Sequence, residues 1–138
     1  MTIRAMTMDD YEQVYELWAC MRRPRNKDDS RESVQRFLQR NPGLSVVAEA
    51  NGKVVGAALC GHDGRRGFLY RVAVDPTQRR MGLGQAMVQA CLAALQQEGI
   101  SVCAIDVFTS NNEGRAFWPA QGFQLWEGQL IYLKELPS

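Results

Sequence analysis

Between Phe68 and Gln97 the chain passes from a β-rich run through a glycine-rich turn into a long amphipathic helix, and this succession constrains the fold more than any other feature. Phe68-Leu69-Tyr70-Arg71-Val72-Ala73-Val74 has the β-branched and aromatic content of a strand, closed by Asp75-Pro76. The loop Gln78-Arg79-Arg80-Met81-Gly82-Leu83-Gly84 follows. Leu83, Ala86, Met87, Ala90, Cys91, Ala94 and Leu95 then recur at helical spacing, and the helix is expected to stop before Gly99. A helix leaving a strand this way returns the chain to the same sheet. Val102 to Phe108 is therefore expected as a strand parallel to its predecessor, given a right-handed crossover.

Upstream, Leu44 to Ala50 and Lys53 to Cys60 are β-rich runs joined by Asn51-Gly52. Asn-Gly is the strongest short-range hairpin signal because both turn residues tolerate positive φ. With a second turn over Gly61 to Gly67, three strands form an antiparallel meander. A short strand is expected over Ile3 to Met6. Asp9 or Asp10 caps a helix carrying Val14, Leu17, Trp18 and Met21, with Pro24 as its stop. Ser30 caps a second helix with Val34, Phe37 and Leu38 on one face, ended by Asn41-Pro42-Gly43. Downstream, a short helix is expected near residues 112–120 and a final hairpin over roughly 123–126 and 129–135. The expectation is one α/β domain over residues 1–138 with a mixed, mostly antiparallel sheet.

The composition narrows the function. Sixteen lysines and arginines against fifteen acids leave a net charge of +1, so no global field draws in nucleic acid or anionic lipid. Any anion must be held by local geometry. Cys20, Cys60, Cys91 and Cys103 are scattered and have only His62 to join them, which fits neither a zinc site nor a disulfide framework. No metal is expected. The first residues lack the apolar run of a secretory leader, and no stretch approaches the about 18 apolar residues of a membrane span. The expected location is the cytoplasm.

The loop at the helix start has the chemistry of an anion cradle. The first amides of a helix have no intrahelical partner, and the macrodipole places about half a positive charge there. Gly82 and Gly84 let oxygens approach the backbone, and Arg79 and Arg80 add charge at the rim. No acidic residue stands between Pro76 and Glu98. A nucleotide-binding Walker loop requires a lysine after the last glycine, and none follows. A dinucleotide fingerprint requires a small residue where Met87 stands and a strand opening a βαβ unit, whereas this strand closes a meander.

Val72-Ala73-Val74-Asp75-Pro76 followed by Gln78 to Ala86 resembles the defining segment of the GCN5-related N-acetyltransferases (the GNAT family), R/Q-x-x-G-x-G/A. Asn111-Asn112-Glu113-Gly114-Arg115-Ala116-Phe117-Trp118-Pro119-Ala120-Gln121-Gly122-Phe123 is similar to that family's second motif, N-x-x-A-x-x-F-Y-x-x-x-G-F. The element order matches over nearly the full length, and the spacing resembles small bacterial members of the YpeA type. The resemblance implies a mixed sheet with helices on both faces and splayed fourth and fifth strands. It also implies acetyl-coenzyme A as cosubstrate and transfer to a primary amine of a small molecule or protein. Amides of Arg79, Arg80, Met81, Gly82, Leu83, Gly84 and Gln85 would hold the pyrophosphate. The backbone of Val72, Ala73 and Val74 would pair with the pantetheine arm as an added strand, and Asn111 would sit beside it.

The second motif departs from the family at the position of its usual proton donor. Trp118 replaces tyrosine, and an indole N–H donates a hydrogen bond without acting as an acid near neutral pH. Tyr70 and Tyr132 are alternative donors. Among bases, Glu49, His62, Asp63 and Tyr70 lie on or near the strands where the acceptor cleft is expected, with His62 and Asp63 read first as turn residues. The loop Arg22 to Asp29, which lines the acceptor side in the family, carries four cations and two acids and leaves the acceptor open. Trp118 also motivates an alternative from another class, a non-catalytic acyl-coenzyme A binding or sensing module. The final hairpin offers an edge for pairing with a second copy.

Overall fold

The computed structural model describes residues 1–21 and 27–137. The expected helix stop at Pro24 and most of the Arg22 to Asp29 loop lie outside the described residues. The chain divides into two compact units, Met1–Asp106 and Val107–Ser138.

The first unit holds a five-stranded sheet in the order β1-β2-β3-β4-β5. Its strands are β1 (Thr2–Ala5), β2 (Val46–Ala50), β3 (Lys53–His62), β4 (Gly67–Val74) and β5 (Cys103–Ile105). The first four are antiparallel neighbours, and β5 runs parallel to β4 as the crossover argument requires. Asn51 (φ 54°) and Gly52 (φ 74°) both occupy the left-handed region, the conformation for which the Asn-Gly pair was read as a hairpin turn.

Among the described residues, three α-helices belong to this unit. Helix α1 (Tyr11–Ala19) follows a 3-10 turn at Met8–Asp10, and α2 (Arg31–Arg40) follows a 3-10 turn at Lys27–Asp29. The hydroxyl of Ser30 caps α2 by accepting the amide of Ser33 at 3.2 Å. Asp10 acts differently from the expected side-chain cap: its carboxylate accepts the amide of Thr7, and Arg4 grips both of its oxygens at 2.8–2.9 Å. Its oxygens are engaged by Arg4 of β1 and, in a capping box of the preceding 3-10 turn, by the Thr7 amide. Helix α3 (Leu83–Gln97) is the long helix read from the sequence.

Alternation along the strands divides the core into two layers. Val14, Leu17, Trp18 and Val34 of α1 and α2 pack with Val47, Ala57, Leu59 and Ala73. On the opposite face α3 lies close. A Cβ added at Gly56 would come within 3.0 Å of the Met87 Cε, and one at Gly67 within 2.6 Å of the Leu95 Cδ1. Helices therefore cover both faces.

Strand β4 is irregular. Leu59 pairs with Tyr70 and Ala57 with Ala73, so Arg71 and Val72 together face the single residue Ala58. This is a β-bulge, with Arg71 at a left-handed φ of 52°. Its ladder with β5 ends at Leu69↔Ile105, while β4 continues to Val74.

In the second unit α4 (Asn112–Ala120) runs one residue past Pro119 and closes at Gly122, whose φ is 91°. The expected hairpin over 123–126 and 129–135 is not formed. Residues 123–137 contain no strand, and Leu125, Trp126, Leu130, Ile131, Tyr132, Leu133 and Leu136 are exposed. Alternating apolar residues favour a strand only when a neighbour covers one face, and a two-stranded ribbon without one is marginal in water.

Candidate functional site

The glycine loop begins where β4 ends. Asp75 closes the strand by donating its amide to the Val55 carbonyl at 2.8 Å, while its carboxylate accepts the Thr77 amide at 2.9 Å and the Thr77 hydroxyl at 2.8 Å. Those backbone and hydroxyl donors hold the Asp75 carboxyl below the ordinary carboxylate range. A 3-10 turn, Pro76–Gln78, carries the chain to Arg79. Arg80 (φ 68°) and Gly82 (φ 74°) then turn it through the left-handed region into α3.

Gly82 is the N-cap of α3, and no side chain caps this helix end. The first intrahelical bond runs from the Ala86 amide to the Gly82 carbonyl at 3.0 Å. The preceding amides belong to the set that has no partner within the helix. A Cβ placed on Gly82 would meet nothing within 4 Å, so the loop backbone is open on that side. Arg79, Arg80, Met81 and Gly82 are exposed, and Leu83 is buried beneath them. This arrangement presents backbone N–H groups and positive charge to an anion from solvent.

Beside the loop is the open stretch of β4. Past Leu69 the edge facing β5 has no ladder partner in that strand, and Val72, Ala73 and Val74 lie there. Tyr70 stands just before the bulge. Its ring meets Phe37 edge-on at 5.9 Å and stacks over Phe68 at 5.9 Å. Burial raises the Tyr70 pKa above 10, and the negative charges of Asp106, Asp28 and Asp63 raise it further. The phenol therefore keeps its proton well past neutrality.

The other candidate catalytic side chains have separate occupations. Glu49 is on β2, two strands from β4, and accepts from Arg4 at 2.9 Å. The His62 Nδ1 accepts the Gly64 amide at 2.9 Å, so Nε2 carries the proton of the neutral ring and faces Glu98 at 2.8 Å. The Asp63 Oδ1 accepts the amides of Arg65 and Arg66, which lower the Asp63 pKa and make it a turn residue. In the second unit, Trp118 is 7% exposed and meets the rings of Phe117 and Phe123 edge-on at 4.9 and 5.1 Å. Asn111 caps α4 by accepting the Gly114 amide at 2.9 Å. Tyr132 is 87% exposed.

Sequence reasoning missed Arg71. A bulge is a relation between two strands, and nothing local in Tyr70-Arg71-Val72 distinguishes it from a regular β run. Its only trace in the sequence was an arginine within an otherwise apolar segment. Among the described residues no group of three or more histidine, cysteine or acidic side chains is placed to hold a metal ion. No described helix is long and apolar enough to cross a membrane.

Comparison with known proteins shows the family and the fold. The model of the acetyltransferase (GNAT) family matches residues 11–123. An acetyltransferase of Pectobacterium atrosepticum is 38% identical over 88 residues, 64% of this chain and 62% of that protein's length. An acetyltransferase of Sodalis glossinidius is 29% identical over 136 residues, 99% of this chain and 96% of that one. Among solved structures, Ard1 from Thermoplasma volcanium superposes with a TM-score of 0.82 at 25% identity, over 91% of this chain and 83% of that one.

Proposed function

The chain belongs to the acetyltransferase (GNAT) family, and from that premise we propose that it moves an acetyl group from acetyl-coenzyme A to a primary amine by direct attack. One observation carries the reading: the β4 edge that continues past its last pair with β5 at Leu69 is followed, after one 3-10 turn and the glycine loop, by the uncapped N-terminus of α3. An extended pantetheine arm fits the edge, and a pyrophosphate fits the helix end.

In this reading the amides of Arg79 through Gln85 hold the pyrophosphate, and the backbone of Val72, Ala73 and Val74 pairs with the pantetheine arm. Asn111 lies beside the same arm. The neutral amine attacks the thioester carbonyl. A C–N bond forms, the C–S bond breaks, the amine loses one proton and the departing thiolate gains one. A lysine-like amine has a pKa of about 10.4, so a base or a chain of water molecules takes its proton. A backbone N–H of Val72 or Val74 stabilises the oxyanion. Tyr70 is the favoured proton donor to the thiolate because its phenol stays protonated and it stands next to the bulge. Glu49, Trp118 and Tyr132 are weaker candidates given the ion pair, packing and exposure described above.

Release of coenzyme A thiol over a panel of primary amines tests the reading. No release with any amine, despite tight coenzyme binding, would sink it. Stabilisation by ATP or NAD in place of coenzyme A would sink the cofactor assignment. The packing of Trp118 between Phe117 and Phe123 favours one rival, a non-catalytic acyl-coenzyme A binding module. An unchanged rate in Trp118→Tyr removes the motive for that rival. The exposed apolar side chains between Leu125 and Leu136 also support pairing with a second copy, for which light scattering with and without residues 129–138 is the test. A cytoplasmic location accompanies the same reading.

A further inference from the structure

The bulge in β4 is held from one side by a compact set of contacts. The guanidinium of Arg71 forms a two-point ion pair with Asp29: Nε donates to Oδ1 at 3.1 Å, and Nη2 donates to Oδ2. The two side chains are only 11% and 12% exposed. The carbonyl of the same arginine accepts the indole N–H of Trp18 at 3.2 Å, and its guanidinium lies 5.8 Å over that ring. Asp29 is fixed in turn. Its carbonyl accepts the Tyr11 hydroxyl at 2.7 Å, and the turn it ends passes directly into the cap of α2.

The bulge changes what β4 presents. In a regular strand residues three apart face opposite sides of the sheet. Here the Tyr70 ring packs on Phe37 of α2, and Ala73 sits in the core shared with α1, so both face the same helical layer. The inserted residue thus sets the alternation of every later position, including Val72 and Val74. A bulge also bends its strand, and β4 parts from β5 at this point. Arg71 is neither glycine nor asparagine, so its left-handed φ persists because surrounding contacts hold it.

We propose that Arg71 is a positioning residue for the transfer site, with Asp29 and Trp18 as its anchors. Its backbone sets the open β4 edge on which the thioester lies. Its guanidinium ties that edge to the turn before α2, at the end of the loop between α1 and α2. One residue thereby fixes the separation between the cosubstrate edge and the turn Lys27–Asp29. The proposal rests on the acetyl-transfer reading above.

The test compares Arg71→Ala, Arg71→Lys, Asp29→Asn and Trp18→Phe with the wild type in steady-state kinetics, calorimetric coenzyme A binding and thermal unfolding. Misplacement of reacting groups by about 1 Å costs about 10²-fold, so kcat/KM for Arg71→Ala is expected to fall about 10²-fold, in kcat as well as in KM. Lysine lacks the two-point fork, so Arg71→Lys is expected to recover less than a tenth of the lost rate. The Arg71→Ala/Asp29→Asn double variant is expected to lose no more than Arg71→Ala alone. Coenzyme A affinity is expected to fall at least tenfold in the same variants. Kinetics and affinity within about threefold of wild type, alongside a lowered Tm, would assign the pair to stability alone and overturn the proposal. Asp29→Asn and Trp18→Phe keep the test decisive if Arg71→Ala fails to fold. The coenzyme-binding arm reads Arg71 even if the wild type acetylates no amine tried, so the two readings fail separately.

Discussion

The indole nitrogen of Trp18 donates to the main-chain carbonyl of Arg71 across 3.2 Å, joining a buried helix residue to the one bulged position of β4. Trp18→Phe keeps an aromatic ring in the core but removes the N–H. A hydrogen bond of this kind contributes about 1 kcal/mol. The deletion leaves a half-buried carbonyl short of a donor, and the smaller ring leaves a small void. We expect a loss of about 1–3 kcal/mol, measured by denaturant unfolding, with the far-ultraviolet spectrum unchanged. Wild-type stability in Trp18→Phe would mean that this bond contributes nothing to holding the bulge.

Gly82 separates binding from folding. A side chain there meets open space, so Gly82→Glu introduces no clash. Its cost to the fold comes from the left-handed φ of 74° and is about 1–2 kcal/mol. Its cost to binding is far larger, because a carboxylate then stands against the pyrophosphate at the helix end. Calorimetry is expected to find no measurable coenzyme A binding to Gly82→Glu and weakened binding to Gly82→Ala. An affinity for Gly82→Glu within about threefold of wild type would place the anion elsewhere.

The legible parts of the fold were those written in short-range pattern. Asn51-Gly52 specifies its own turn, and Leu83, Met87, Cys91 and Leu95 mark the buried face of α3 because helical spacing is a local property. The turn from Gln78 to Gly84 into α3 was legible as a helix start, although two glycines there are equally compatible with a plain tight turn and an N-cap. Arg71 was invisible because its conformation depends on the register with β3 and on Asp29, which is 42 positions away in the chain. The segment 129–135 failed in the opposite direction. It has a strand's pattern, yet it pairs with no strand among the described residues, and pattern alone does not form a strand.

Two glycines under α3 make a paired prediction about packing. A Cβ at Gly67 would come within 2.6 Å of the Leu95 Cδ1, and Leu95 is fully buried, so the clash has no outlet. At Gly56 the nearest atom, at 3.0 Å, is the terminal methyl of Met87, whose unbranched side chain can re-pack. Gly67→Ala is expected to destabilise by about 1–3 kcal/mol and Gly56→Ala by less than about 1 kcal/mol. Equal losses in thermal unfolding would show that α3 shifts as a rigid body over the sheet.

The four thiols are ranked by burial. Cys20 is exposed, whereas Cys60 and Cys91 are fully buried. Burial pushes the Cys103 thiol up to about 12, and the neighbouring Cys91 with burial pushes Cys60 higher still. A chromogenic disulfide reagent at pH 8 is therefore expected to titrate Cys20 rapidly and the other three only as the protein unfolds. Rapid loss of more than one thiol from native protein would contradict this ranking.

Acid should weaken the tie between β1 and the start of α1. The guanidinium of Arg4 is the main influence holding the Asp10 carboxyl below its ordinary 3.8, and the Thr7 amide assists while burial opposes. A carboxyl depressed by folding contributes stability above its unfolded pKa, and that contribution fades as pH falls from about 4 through the folded value. Asp10 is only 6% exposed at the side chain and Arg4 is 37% exposed, so screening reduces the pair below the worth of a buried one. Asp10→Asn keeps the shape, loses the charge and is expected to cost about 1–2 kcal/mol at pH 7. As pH falls through the folded value, where the wild-type carboxyl also becomes neutral, the difference between the two proteins should shrink. A wild-type stability that does not fall relative to Asp10→Asn at any acid pH at which both proteins stay folded would show that the carboxylate charge is not what joins Arg4 to this turn.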